Sequence, residues 1–393
     1  MNCVDRNGVR VALRLRRGTP RVRLVRSGLS LVELMVALVI GSILMIGVIT
    51  LFVSSRANYR FNTELSQAQD TARFAMDTLL ADLRMAGYFG CGGKSVTIEN
   101  LTNGGVAPAA TALNSTENGL EGINDAATNW SPSGAPTSAM LDGTVHKPGT
   151  DAVTIRRMAG PELGNIGVSA SGTTLTFQSA EFGDVEDDFN HFRIAAIANC
   201  KHVDVFHHDA VDGVATPRTV TASTDLSQPY DHIDNQITTI AAPFIARRYF
   251  IGIGDKPAVS NPGTPAKDNP ADWIPILYRT EYRRGTEQEP EEMFQGVEDL
   301  QFQFGVDTND NGTPDEYHVA GDAKLDSNDE WAQVVAVRMA MLVRSREPVA
   351  EPVEQVFFLL DKKVEIDEDD DDYDVNGRYR RRVFTATVTL RNL

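Results

Sequence analysis

Residues Leu34 to Val53 read LMVALVIGSILMIGVITLFV, twenty consecutive positions without a charge or a proline. Nothing else in the chain constrains it as strongly. Twenty helical residues at about 1.5 Å rise span about 30 Å, the thickness of a bilayer's hydrocarbon core. Ahead of the run, residues 1–28 hold eight arginines against one acid, Asp5, a segment of +7. The whole chain carries −17, so residues 29–393 carry −24. Arginines beside an apolar run stay in the cytoplasm, which sends the acidic remainder across the membrane. The same sign balance disfavours nucleic acid as a partner, because a phosphate-binding surface must be basic. Hydrophobic residues make up 42% of the chain, which rules out a wholly disordered chain.

A cleavable secretory signal is the competing explanation, but its apolar region is shorter and ends at a small-residue site that is missing after Val53. Two residues also fit a plain anchor badly. Gly28 stands just before the apolar block, and Glu33 stands inside its first turn. A lone carboxylate at membrane depth is costly and needs a partner. A cut between Gly28 and Leu29 would remove all eight leader arginines. It would also create an α-amino group on Leu29, one helical turn from Glu33, able to compensate that acid within the chain or in an adjoining helix. The stretch Gly28-Leu29-Ser30-Leu31-Val32-Glu33-Leu34-Met35-Val36-Ala37-Leu38-Val39-Ile40-Gly41 closely resembles the class III signal of type IV prepilins. The resemblance implies cleavage by prepilin peptidase after Gly28, N-methylation of Leu29, and Glu33 as the acid that guides subunit docking. Leu29 replaces the commoner Phe, and the leader is long for the family.

Helical spacing continues past the apolar run. Phe61, Leu65, Ala68, Ala72, Ala75, Leu79, Leu83 and Ala86 recur at threes and fours, with Asn62, Glu64, Gln67, Asp70, Arg73, Asp77 and Asp82 assigned to the polar face. The spacing predicts one helix from about Leu29 to Ala86, ended by Gly87, Gly90, Gly92 and Gly93. Residues 94–150 are rich in small and polar types and read as a long irregular segment. Strand-type runs follow at 152–156, 173–178, 202–206, 237–240, 248–253, 274–282, 300–304, 334–343, 354–360 and 383–391, with a Pro/Gly loop over 254–272. The expected fold is α+β, a long N-terminal transmembrane and amphipathic helix packed on an antiparallel β-sheet, with a long irregular insertion. Its parts are a basic leader (1–28), the transmembrane or filament-core half of the helix (29–53), the amphipathic half and its glycine-rich end (54–93), and a β-rich globular domain (94–393).

The segments Ala68–Ala75 and Asp82–Tyr88, Gly296–Asp307, Ala336–Ser345 and Arg381–Asn392 resemble PilW-like minor pilins. That resemblance implies a pilin-like fold and a non-catalytic minor pilin of a type IV pilus that helps initiate assembly at or near the tip. It implies other minor pilins and the major pilin as partners through the helix, with a large tip adhesin as a further partner. The protein would sit in the bacterial inner membrane, its C-terminal domain periplasmic, and then in the pilus at the cell surface. Rival readings are a minor pseudopilin of a type II secretion system, which shares the signal and helix, and a calcium-dependent tip adhesin or DNA-uptake component.

Three cysteines are too few for a disulfide scaffold. Cys3 belongs to the leader, and Cys91 and Cys200 are left to pair across a disulfide-permissive compartment or to remain buried thiols. Asp307, Asn309, Asn311 and Asp315 place side-chain oxygens around Gly312, with the Thr313 carbonyl between them, like the start of a calcium loop. An Asn/Asp/Gly hairpin turn needs the same residue types, and His318 replaces the glutamate that an EF-hand has at its twelfth position. No cofactor is required. His202, His207 and His208 alternate along a strand and read as surface residues rather than a zinc site. The acidic run over 367–372 reads as a hairpin tip opposite Arg378, Arg380, Arg381 and Arg382. No nucleophile, metalloprotease or phosphate-loop motif is present, so no enzyme is expected.

Overall fold

The computed structural model describes residues 30–90, 96–102, 119–124, 145–147, 149–160, 163–164, 166–169, 172–177, 182–199, 201–209, 211, 218–228, 230, 239–255, 273–283, 286–325, 327–348, 353–366 and 377–392. The chain separates into two compact units, residues 1–57 and 58–393. The described part of the first unit is helical from Leu31 onward. It is the apolar half of α1 (Leu31–Arg84), whose amphipathic half belongs to the second unit. The helix ends within two residues of the expected position. Gly87 follows with φ 70°, a left-handed conformation that a glycine adopts without a Cβ clash.

The second unit is mostly β. Its strands are β1 (Thr97–Asn100), β2 (Leu120–Ile123), β3 (Val145–His146), β4 (Ala152–Met158), β5 (Ile166–Val168) and β6 (Thr174–Phe177). After helix α2 (Phe182–Phe192) come β7 (Ile194–Ala198), β8 (His202–His207), β9 (Arg218–Thr221), β10 (Ile240–Asp255), β11 (Trp273–Arg283), β12 (Thr286–Glu287), β13 (Glu291–Gln295), β14 (Val297–Val306) and β15 (Glu316–His318). The short α3 (Asn328–Trp331) precedes β16 (Val334–Arg344), β17 (Gln355–Leu359), β18 (Lys362–Ile366) and β19 (Arg381–Thr389).

A ten-stranded sheet runs β1-β8-β7-β10-β11-β12, with β4 and β3 on β10, β2 on β4 and β13 on β11. A four-stranded sheet runs β15-β14-β16-β19, a three-stranded one β5-β6-β9, and β17 and β18 form a separate hairpin. Pairing is antiparallel except between β1 and β8. The architecture is therefore α+β, as the sequence predicts.

The amphipathic half of α1 explains how helix and sheets hold together. Ala68, Ala72, Ala75, Met76, Leu79, Leu83 and Ala86 are buried in one cluster with Tyr249 and Ile251 of β10, Phe302 and Phe304 of β14, and Val337, Met339 and Met341 of β16. Small alanines at spacings of three and four let the helix backbone approach the sheet closely, and leucines fill the remaining volume.

Four features differ from the sequence reading. The run at 248–253 belongs to a longer, sixteen-residue strand, β10, that starts at Ile240 and passes through Pro243, while residues 237–238 lie outside the described residues. Proline cannot donate to a ladder, and here it marks the point where β10 exchanges β7 for β4 as its partner. The segment 94–150 contains three short strands, β1, β2 and β3. Helix α2 is absent from the sequence reading, although Phe182, Val185, Phe189 and Phe192 are spaced three, four and three apart. Phe182 and Phe189 stack at 5.3 Å, with Phe177 4.6 Å from Phe182. His208 is buried rather than exposed.

Candidate functional site

The apolar half of α1 is capped by Ser30, whose Oγ accepts the Glu33 N–H at 3.1 Å while its carbonyl accepts Leu34 N–H at 3.2 Å. From Leu31 to Val53 the large apolar side chains are between 52% and 76% exposed, and Glu33 is the one charged residue among them. The hydroxyls that interrupt the run bond back to the helix, Ser42 Oγ to Val39 O at 2.8 Å and Thr50 Oγ1 to Ile46 O at 2.5 Å. This surface therefore shows apolar surroundings almost no unsatisfied polar group, which is the condition for lipid or a packed helix bundle. It is the one helix among the described residues long and apolar enough to cross a membrane. Gly28 and Leu29, the expected cleavage site, lie outside the described residues, as do Cys91 and Cys200.

At the other end of α1 the charges are buried and held. The sequence pattern assigned Asp82 to the polar face. The structure places it inward, between the buried Leu79, Leu83 and Ala86. Its carboxylate accepts Arg247 Nη1 at 3.0 Å and Arg157 Nη2 at 3.2 Å, and the Tyr249 hydroxyl at 2.5 Å. Burial alone would raise the Asp82 carboxyl, but Arg247, the Tyr249 hydroxyl and Arg157 outweigh it and hold the pKa below the ordinary value. Arg247 also donates to Glu281 at 2.6 Å, and Arg283 Nε reaches the same carboxylate at 2.9 Å. Burial would raise the Glu281 carboxyl too. Arg247 and Arg283 reverse that and lower it. One acid on the helix thus ties α1 to β4, β10 and β11.

A second buried knot organises the four-stranded sheet. Glu298 accepts Arg381 through two nitrogens, at 2.5 and 2.9 Å, and Arg344 at 3.3 Å. Complete burial would raise the Glu298 carboxyl, yet Arg381 and Arg344 lower it. Arg381 is thus held by Glu298, and the acidic run at 367–372 lies outside the described residues.

The loop with the calcium-type pattern closes on itself. Asp307 accepts Asn311 N–H at 3.1 Å and Gly312 N–H at 2.7 Å, and Asp315 accepts Thr308 N–H at 2.9 Å and Asn309 Nδ2 at 2.7 Å. Asn311 Oδ1 accepts Thr313 N–H at 2.8 Å. Asp307, Asn309, Asn311, Thr313 and Asp315 are thus in one turn. Among the described residues no three His, Cys, Asp or Glu side chains group as a metal site would. His318, beside this turn, lies between Glu316 at 3.2 Å and Asp322 at 3.3 Å.

Comparison with known proteins separates the ends of the chain from its middle. Residues 23–49 match the prokaryotic N-terminal methylation motif, and residues 262–392 match the type IV pilus-assembly protein W family. The two matches support a PilW-like type IV prepilin. No curated protein and no solved structure matches it. The PilW match covers β11 to β19, including the Glu298–Arg381 knot and the turn at 307–315, but not the helix end at 68–88 that also resembles the family. The matches support a type IV pilus minor pilin-like protein, and the methylation motif with the apolar helix points to membrane anchoring and pilus association. Pilin and PilW families are structural and non-catalytic.

Proposed function

We propose that this PilW-like prepilin is a minor pilin that is cut after Gly28 by prepilin peptidase, methylated on Leu29, and drawn into the filament near its tip to help start assembly. The observation that carries this reading is the exposed half of α1. Across the twenty-three residues Leu31 to Val53 the large apolar side chains are exposed in every direction, with one acid in the first turn. Lipid can cover such a surface before assembly, but lipid gives Glu33 no partner. A bundle of like helices gives it one, the new α-amino group of an adjoining subunit. The basic leader keeps the N-terminus cytoplasmic until the cut, which puts the acidic globular domain in the periplasm.

The test is a Glu33→Leu variant expressed in place of the parent. The variant should reach the inner membrane in normal amount and be at least tenfold depleted from sheared fibres. Incorporation at the parental level would overturn the docking role.

A further inference from the structure

Helix α2 and the three-stranded sheet β5-β6-β9 form a layer that shares an apolar core with β7 and β8. Phe177, Phe182 and Phe189 of the layer meet Ile197 of β7 and Phe206 of β8 there. This core is separate from the one that buries the second half of α1. A unit with its own core can open while the rest of the molecule stays folded.

His208, just past β8, stands at the seam of this layer and is 4% exposed. It bridges to Ala222, just past β9, and its ring meets the Phe189 ring of α2 at 5.6 Å. Nδ1 lies 2.6 Å from the Asp209 carbonyl oxygen, which can only accept, so Nδ1 carries the proton of the neutral ring. Nε2 is buried without a hydrogen-bond partner. The backbone N–H of His208 donates to the Arg193 carbonyl at 3.2 Å, and His207 Nδ1 lies 3.4 Å from the same oxygen. Arg193 joins α2 to β7 with φ 57°, a left-handed conformation that is strained in a residue with a Cβ. The joint of the layer is therefore under strain, and two neighbouring histidines hold it.

A second proton on His208 must sit on Nε2, where nothing accepts it, and its charge is then buried. Burial holds the ring at about 4, and the positive charges of Arg193 and His207 act in the same direction against Asp209. From α2 the Phe189 ring faces His208, while Glu186 is taken by Arg218 of β9, His191 is turned to Phe192, and Asp187 and Asp188 are exposed. The segment after β9 brings Ala222 and Ser223, which carry no charge, and its Asp225 is exposed. Asp204, four positions back on the same side of β8, is pushed up by burial and works in the opposite sense.

We propose that this layer is an acid-operated switch, in which protonation of His208 detaches α2 and β5-β6-β9 from β7 and β8 and uncovers the aromatic core between them, while α1 and the four-stranded sheet stay folded. The strained joint at Arg193 favours release once His208 no longer fits its site. Because the closed layer binds the proton less well than the open one, closure is complete above the ordinary histidine value of 6.5 and weakens as pH falls towards about 4. Between about pH 7.5 and about pH 5 the opening equilibrium should rise about 30-fold through His208 alone.

The test is hydrogen exchange of the full chain in detergent, read by mass spectrometry at about pH 7.5 and about pH 5 and corrected for the intrinsic pH dependence of exchange. Protection of α2 and β9 should fall about tenfold or more between the two conditions, while protection of β16 and of the buried stripe of α1 stays within about threefold. His208→Phe and His208→Gln, neither of which can take the charge, should each abolish the fall and retain the parental protection at the higher pH. Unchanged protection of α2 and β9 in the parent, an equal fall in β16 and α1, or a fall that survives either substitution would overturn the proposal.

Discussion

The two halves of α1 are built from one continuous helix and have opposite surroundings. From Leu31 to Val53 bulky aliphatic side chains point in all directions and are exposed. From Ala68 to Ala86 small residues and leucines form a single stripe that the protein's own sheets cover. Their acids differ in the same way. Glu33 has the Ser30 cap beside it and no cation within its own described surroundings, while Asp82 is enclosed by Arg157, Arg247 and Tyr249. The second half is satisfied within one chain. The first half has no such cover among the described residues, and its apolar surface calls for lipid or a packed helix bundle.

Substitutions in the two halves should therefore be felt in different assays. The largest loss of stability is expected from Asp82→Ala, which leaves the half-buried Arg157 without its acid, Arg247 with Glu281 alone and the buried Tyr249 hydroxyl without its acceptor, and should cost about 3–5 kcal/mol. Chemical denaturation of the full chain in detergent would measure it, and a change below 1 kcal/mol would mean that the Asp82 knot does not hold the helix. Leu79→Ala, in the buried stripe, should cost about 2–4 kcal/mol in the same measurement.

The pH dependence comes next. Burial lowers His208 to about 4, and its Nε2 has no partner among the described residues. Its folded pKa is depressed below the unfolded 6.5, so this contribution to stability is complete above 6.5 and declines as pH falls towards 4, by up to about 3 kcal/mol. Asp82, Glu281 and Glu298 are also depressed, from unfolded values of 3.8 to 4.5, so their contribution is lost only at still lower pH. A His208→Phe variant should lose most of the slope between pH 6.5 and 4, leaving the part that belongs to His207, which burial also lowers, and keep the steeper acid limb. A slope unchanged by that substitution would place its origin elsewhere. The smallest effect belongs to the exposed half, where Leu44→Ala should change unfolding by less than about 0.5 kcal/mol, because no native contact within the chain is lost.

The same contrast explains what could be read from the sequence. The apolar run, the glycine and acid before it, and the alanine–leucine stripe are local patterns, and they placed the helix to within two residues. Strands with alternating or β-branched residues, such as 300–304 and 334–343, were equally legible, since their period is written in neighbouring positions. The buried ion pairs were not. Asp82 meets Arg247 from 165 positions away and Glu298 meets Arg381 from 83, so nothing near Asp82 distinguishes it from the solvated Asp77. The one available signal was its place on the helix, directly between Leu79 and Leu83. The burial of His208 was hidden for the same reason, because α2, whose Phe189 ring meets it at 5.6 Å, had not been recognised.

Mass spectrometry of the mature N-terminus tests the central claim most directly. An N-methylated Leu29 is the predicted first residue. A retained arginine leader, or a first residue beyond Val53, would show that the exposed helix is not prepared for a filament and would contradict the account.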